Sequence, residues 1–173
     1  MAEDKTARAL ALAKSRHAGQ RRFGGAAYIV HPVAVAEDLK GRGYGEDYYI
    51  TALCHDLLED TDTSEAEIAA VGGGEVLRAV QLLTKPRPYD MGAYLGGIQK
   101  NPLAKAVKCA DRLDNLRDCV QAPLAFQKKY YAESLRWYRA FMAGTPFEAD
   151  FEAALVVLGQ KIVKKTSKSD EKD

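Results

Sequence analysis

The sequence predicts an all-α fold, a compact helical bundle, on three observations. Apolar residues recur at the three- and four-residue spacing of a helix face through most of the chain. Proline, glycine and capping side chains cut that pattern into pieces of ordinary helix length. The β-rich runs, Tyr28 to Val30 and Val156-Val157, stand alone without the paired, alternating partners that a sheet requires. With 173 residues, 47% of them hydrophobic, the chain is long enough to bury a core as one domain. Residues 1–163 are expected to form that domain, and residues 164–173 a polar, disordered tail.

Taken in order, Thr6 to His17 reads as a first helix rich in Ala and Leu. A basic turn from Gly19 to Gly25 follows, and its adjacent Arg21 and Arg22 make it a candidate anion site. Tyr28-Ile29-Val30 leads to His31-Pro32, where Pro32 suits the first turn of a helix running to about Lys40 and stopped by Gly41 and Gly43. Asp47 can cap a helix from Tyr48 through Leu58, with Ile50, Leu53, Cys54, Leu57 and Leu58 as its apolar face. Ser64 and Glu67 have the spacing of a capping box and open a short helix that Gly72-Gly73-Gly74 stops; Val76 to Leu83 resumes the pattern. Beyond the loop marked by Pro86 and Pro88, Tyr89 to Gln99 is a weak helix. Pro102 starts one through Asp118, Pro123 one through about Phe141, and Phe147 to Val163 is the last.

Composition excludes several functions. Lys and Arg total 25 against 24 Asp and Glu, a formal charge of +1, so no global attraction to nucleic acid or an anionic membrane is implied. Met1 to Ala13 lacks the continuous apolar stretch of a secretory signal, and no apolar run approaches membrane length. Cys54, Cys109 and Cys119 are an odd number without CxxC spacing, which argues against a disulfide framework and a thiolate zinc site. They read as small buried side chains in a reducing compartment, so a cytoplasmic location is expected, with neither nucleic acid nor membrane as partner. The sequence sets no oligomeric state.

The densest metal- and proton-competent segment is His55-Asp56-Leu57-Leu58-Glu59-Asp60-Thr61. On a helix these carboxylates crowd one side of the last turn and a half, where they repel one another and oppose the helix dipole. A bound cation would relieve both problems. A solvated acidic helix end is the plain alternative. Against it stands Thr51-Ala52-Leu53-Cys54 on the amino side, which should be buried, so His55 and Asp56 begin where the core ends. A second cluster places Lys108, Asp111 and Asn115 on one helical face. A surface helix with a pair such as Asp114–Arg117 explains its charged flank, but explains Asp111 less well, since Val107, Ala110 and Leu113 surround it.

His31-Pro32, His55-Asp56 and Asp111 reproduce the H…HD…D pattern of the HD-domain phosphohydrolases, which the chain resembles. Three further stretches are similar to the alarmone hydrolase branch found in RelA/SpoT proteins and in small stand-alone hydrolases. They are His17-Ala18-Gly19-Gln20-Arg21-Arg22 with Tyr28-Ile29-Val30-His31-Pro32, the Glu59-Asp60-Thr61 extension, and Lys108-Cys109-Ala110-Asp111-Arg112-Leu113-Asp114-Asn115. The match runs in order from about Ala7 to Asp118.

The resemblance implies an all-α HD-domain bundle in which His31, His55, Asp56 and Asp111 ligate one divalent metal, manganese in the family's usual case. Imidazole and carboxylate ligands suit iron, zinc or cobalt as well, so ligand chemistry alone does not choose. Glu59 and Asp60 match the acidic pair that positions or activates water. Arg22 matches a phosphate-contacting arginine and Asn115 a pocket residue, with Arg21, Lys85 and Lys108 as further substrate contacts. The implied reaction is metal-dependent hydrolysis of the 3′-diphosphate of guanosine alarmones, (p)ppGpp, releasing pyrophosphate. With no Walker-type glycine loop and no synthetase segment, hydrolysis without synthesis is expected. The chain departs from the pattern at Ala27, where a proline is usual, at Phe23, where the small hydrolases carry a lysine, and in the short Thr84-Lys85-Pro86-Arg87-Pro88 segment. The alternatives are hydrolysis of another phosphorylated nucleotide or cofactor, and a nucleotide-binding domain without turnover. His17 carries no expected metal role and reads as a helix-end histidine bonded to nearby backbone, and Tyr28 either lines the pocket or packs the helix entrance.

Overall fold

The computed structural model of the chain describes residues 4–170, which are helical almost throughout. Among them the only strand-like pairing is the isolated bridge between Arg21 and Ala27. Two compact units divide the chain, Met1–Asp111 and Arg112–Asp173.

The first unit holds α1 (Lys5–Arg16), α2 (Val30–Gly41), α3 (Glu46–Cys54), α4 (Leu57–Asp60), α5 (Glu65–Leu83), α6 (Met91–Ile98) and the first part of α7 (Pro102–Asp118). Its centre is α3, which packs on α1, α2 and α5. Residues 50–54 are buried on every side, so the end of this helix has no polar face. Leu39, Ile50, Leu53, Leu57 and Ile68 are fully enclosed, each worth about 1.5–3 kcal/mol of burial. Local signals fix the other helix starts. Asp4 accepts from the Thr6 amide at α1, Asp90 from the Ala93 amide at α6, and Ser64 and Glu67 close their capping box at α5. The glycine triplet breaks α5 at Gly73, whose φ of 81° only glycine adopts without strain.

The structure differs from the sequence expectation in four places. Gly45, not Asp47, precedes α3; Glu46 and Asp47 instead occupy its first turn, where their charge suits the dipole. The expected helix through Leu58 stops at Cys54. There the His55 ring Nδ1 bonds the Ala52 carbonyl at 2.7 Å, the acceptor a continuing helix would offer to residue 56. A separate turn, α4, then starts at Leu57 with Glu59 and Asp60 in its first turn.

The third difference lies in the second unit, where the expected helix to Phe141 is three pieces: α8 (Leu124–Glu133), a π-helical turn (Ser134–Tyr138) and α9 (Arg139–Met142). After them α10 (Glu148–Asp170) runs on past Lys164, where the sequence reads as a polar tail; residues 171–173 of that tail lie outside the described residues. Phe141, Met142, Phe147, Phe151, Leu155 and Leu158 are buried here. Arg112 is buried between the rings of Tyr130 and Tyr138, 3.7 and 4.0 Å from their centroids, and donates to Ser134, Glu133 and the Tyr130 carbonyl. The three cysteines are buried and unpaired, as read from the sequence. No helix among the described residues is long and apolar enough to cross a membrane.

Candidate metal centre

Three elements of the first unit deliver one cluster. His31 comes from the first turn of α2, His55 and Asp56 from the break between α3 and α4, and Asp111 from α7. His31, His55 and Asp111 are buried, and their ligand atoms all lie within 4.8 Å of one another. The imidazole Nε2 of His31 is 3.1 Å from Asp111 Oδ1 and 3.7 Å from Asp56 Oδ2; that of His55 is 3.0 Å from Asp56 Oδ2 and 3.7 Å from Asp111 Oδ1. Two carboxylates and two ring nitrogens therefore interleave. The edge-to-face packing of the two imidazoles, centroids 5.2 Å apart, aims both nitrogens at the same oxygens.

Charge makes this cluster a candidate cation site. A carbonyl accepts from His55 Nδ1, so that nitrogen carries the proton and Nε2 faces two carboxylates, to which it offers a lone pair only when the ring is neutral. That Nε2 is sealed from solvent and makes no well-formed hydrogen bond among the described residues. Burial alone opposes charge on His55, yet Asp56 and then Asp111 hold its imidazolium well above the usual histidine range. Burial likewise opposes ionisation of Asp56, but His55 holds its carboxyl below the usual range, and Lys108 and the histidines hold Asp111 well below it. Two imidazoles and two carboxylates that all favour a positive partner fit a divalent ion.

The surroundings brace these side chains. Tyr28 donates its hydroxyl to Asp56 Oδ2 at 2.6 Å, and the burial and negative charge around the phenol raise its pKa. Of the two readings open for Tyr28, this geometry favours a role at the site. Lys108 Nζ is 2.9 Å from Asp111 Oδ2, leaving Oδ1 for the histidines, and lies 5.5 Å from the Tyr94 ring centroid.

Glu59 and Asp60 follow on α4. Glu59 accepts the Lys85 backbone amide at 3.1 Å. Partial burial, then the charges of Asp56 and Glu59, raises the Asp60 carboxyl above its ordinary pKa. Arg22 lies 5.9 Å from the Tyr28 ring centroid, Arg21 donates to the Gly25 carbonyl, and the Lys85 ammonium stands over Tyr89 at 5.7 Å. Asn115 is half-buried on the part of α7 that belongs to the second unit. Sequence reasoning gave no role to Gln20 and expected His17 to bond nearby backbone. Instead His17 Nδ1 meets the Gln20 carboxamide at 2.7 Å and its ring packs on Tyr28, centroids 4.8 Å apart. Both residues lie in the motif before His31, which was the available signal.

Residues 9–91 match the family described as HD domain. A guanosine-3′,5′-bis(diphosphate) 3′-pyrophosphohydrolase of Aquifex aeolicus is 32% identical over 139 residues, 76% of this chain and 20% of that protein. A probable GTP pyrophosphokinase of Mycobacterium leprae is 33% identical over 137 residues, 74% of this chain and 17% of that protein. The chain thus spans about a fifth of the length of these curated relatives. A solved structure of a metazoan ortholog of SpoT, reported to hydrolyse ppGpp, superposes with a TM-score of 0.79 at 24% identity, covering 92% of this chain and 98% of that one. At that identity the likeness establishes the fold.

Proposed function

We propose that the chain is an HD-domain protein and a manganese-dependent phosphohydrolase that removes the 3′-diphosphate of guanosine alarmones, a reading supported by the match of residues 9–91 to the HD domain family. The single observation that carries this reading is the interleaved cluster of His31, His55, Asp56 and Asp111, with Glu59 and Asp60 one helical turn away. The names of the relatives supply the substrate class. Residues 1–163 are the hydrolase domain in this reading, a cytoplasmic enzyme acting on a small phosphorylated nucleotide.

A divalent cation held by these four side chains supplies Lewis acidity toward a phosphoryl oxygen and acidifies water. The chain's own groups do the rest. Glu59 or Asp60 takes the proton of the attacking water, and partial burial beside Asp56 and Glu59 makes Asp60 a better proton acceptor than an ordinary aspartate. Water adds to the 3′ phosphorus, the bond to the ribose 3′ oxygen breaks, and that oxygen leaves with a proton while pyrophosphate is released. Arg22, with Arg21, Lys85 and Lys108, offsets the charge on the diphosphate. Tyr28 keeps Asp56 oriented through its hydroxyl.

Purified chain incubated with manganese and ppGpp is expected to release pyrophosphate, and a His55→Ala, Asp56→Ala variant to release none. Equal release from both proteins, or none from the native chain with any divalent metal, would overturn the reading. One observation favours a second substrate. Phe23, 59% exposed, stands where the small hydrolases carry a lysine, which removes a cation from the phosphate-facing turn. Metal-dependent release of phosphate from another phosphorylated nucleotide, and none from ppGpp, would establish that alternative.

A further inference from the structure

The two carboxylates assigned to the proton-handling step sit on a helix of one turn. The Asp60 amide to the Asp56 carbonyl, 2.9 Å, and the Thr61 amide to the Leu57 carbonyl, 3.2 Å, close its backbone. A single turn does not sustain itself, since nucleation costs more than so few hydrogen bonds return. Its last carbonyls also need partners, because Thr61 turns away into extended backbone at φ −139° and ψ 178°. The Asp60 carbonyl finds one outside the helix: Gln20 Nε2 donates to it at 2.9 Å from forty residues earlier in the chain.

The direction of that carboxamide is determined. A backbone carbonyl only accepts, so the NH2 end of Gln20 faces Asp60 and the Oε1 end faces His17. His17 Nδ1 therefore carries the proton and donates to Oε1 at 2.7 Å. His17 is 2% exposed and packed against Tyr28, and the Gln20 carbonyl accepts the Tyr28 amide at 2.9 Å. One residue thus ties the end of α4 to the loop whose Tyr28 hydroxyl holds Asp56.

We propose that Gln20 is a positioning residue for Glu59 and Asp60: its carboxamide fixes the end of α4 through the Asp60 carbonyl, and His17 sets the direction of that carboxamide. This rests on the reading that Glu59 and Asp60 handle the water proton, and the test separates the two ideas. Gln20→Met keeps the side-chain length and removes both hydrogen bonds. In the manganese-loaded chain, hydrogen exchange at the Asp60 and Thr61 amides should quicken by roughly tenfold or more while manganese affinity holds. The turnover number kcat on ppGpp should fall about tenfold with KM unchanged, as expected for misplaced catalytic groups. In an Asp60→Asn background the same substitution should cost less than about twofold of the residual rate, because its effect is already spent. Gln20→Glu keeps the acceptor for His17 and loses the donor, so it should behave as Gln20→Met does. Unchanged exchange at those amides, an equal loss in the Asp60→Asn background, or native behaviour of Gln20→Glu would overturn the proposal. A native chain inactive on ppGpp would overturn the substrate reading instead, and the exchange result would still decide Gln20.

Discussion

Lys108→Met should destabilise the metal-free protein and tighten its grip on metal at once. The ammonium lies 2.9 Å from Asp111 Oδ2, with both groups buried. Removing one partner of a buried ion pair costs about 3–5 kcal/mol, because the other charge is left uncompensated. Asp111 keeps the two imidazoles at 3.1 and 3.7 Å, which reduces the expected cost in chelator to about 2 kcal/mol. With a dication in the cluster, Asp111 has a stronger partner than the lost ammonium, and most of that cost disappears. Closing the cycle, the variant must bind the dication more tightly by the same amount, about 30-fold in Kd. Urea unfolding of both proteins in chelator and in saturating manganese, with calorimetric titration of manganese, measures every side. Equal destabilisation in both media, or weaker manganese binding by the variant, would refute the assignment of Asp111 as a ligand charge-paired with Lys108.

Tyr28→Phe deletes the 2.6 Å hydrogen bond to Asp56 and should weaken manganese binding about tenfold by calorimetry, the usual loss when the partner of a ligand is removed. Glu67 accepts from the Ser64 backbone and hydroxyl and from Arg16, which pulls its carboxyl from 4.5 down to about 2. Folding thus favours its charged form, so this stabilisation is complete above pH 4.5 and lost as pH falls toward 2. A carboxyl-carbon NMR titration should place the midpoint near 2, and Ser64→Ala should raise it. Burial pushes the Cys54 thiol up to about 12 and the Cys119 thiol up to about 11. Neither should react with a disulfide reagent at pH 8 until urea unfolds the chain.

Helix existence and the residues that cluster at the candidate centre were legible in the sequence because both are written in local patterns. The capping box of Ser64 and Glu67, Pro32 in the first turn of α2, and the buried run before His55 each act within a few residues of where they appear. The break at His55 was not legible, since it depends on an imidazole competing for a backbone carbonyl that helix periodicity assigns elsewhere. The same holds for Gln20, whose partner lies forty residues away on α4. Its motif marked it, but spacing alone could not say what it touches. Carboxylates expected to load the end of one helix open another instead, so dipole repulsion needs no cation there; the need for one comes from His55 and its two facing carboxylates.

The π-helical turn from Ser134 to Tyr138 can be understood as a correction of phase. In an unbroken α-helix, residues eight apart are rotated by about 80° from one another, since each residue advances about 100°. Tyr130 and Tyr138 would then point to different sides, and only one ring could reach Arg112. The wider turn absorbs one residue's worth of rotation, so the two tyrosines stand as if seven apart, about 20° from alignment. Both rings then grip the same guanidinium. Deleting one residue between Ser134 and Tyr138 would leave the tyrosines seven apart in a regular helix, still about 20° from alignment, so both rings would keep the cation and α9 its phase, whereas forcing all the present residues into regular winding would swing one ring away. The irregular turn is thus a spacer measured in degrees, not ångströms, and the quantity it conserves is the two-sided stacking of Arg112.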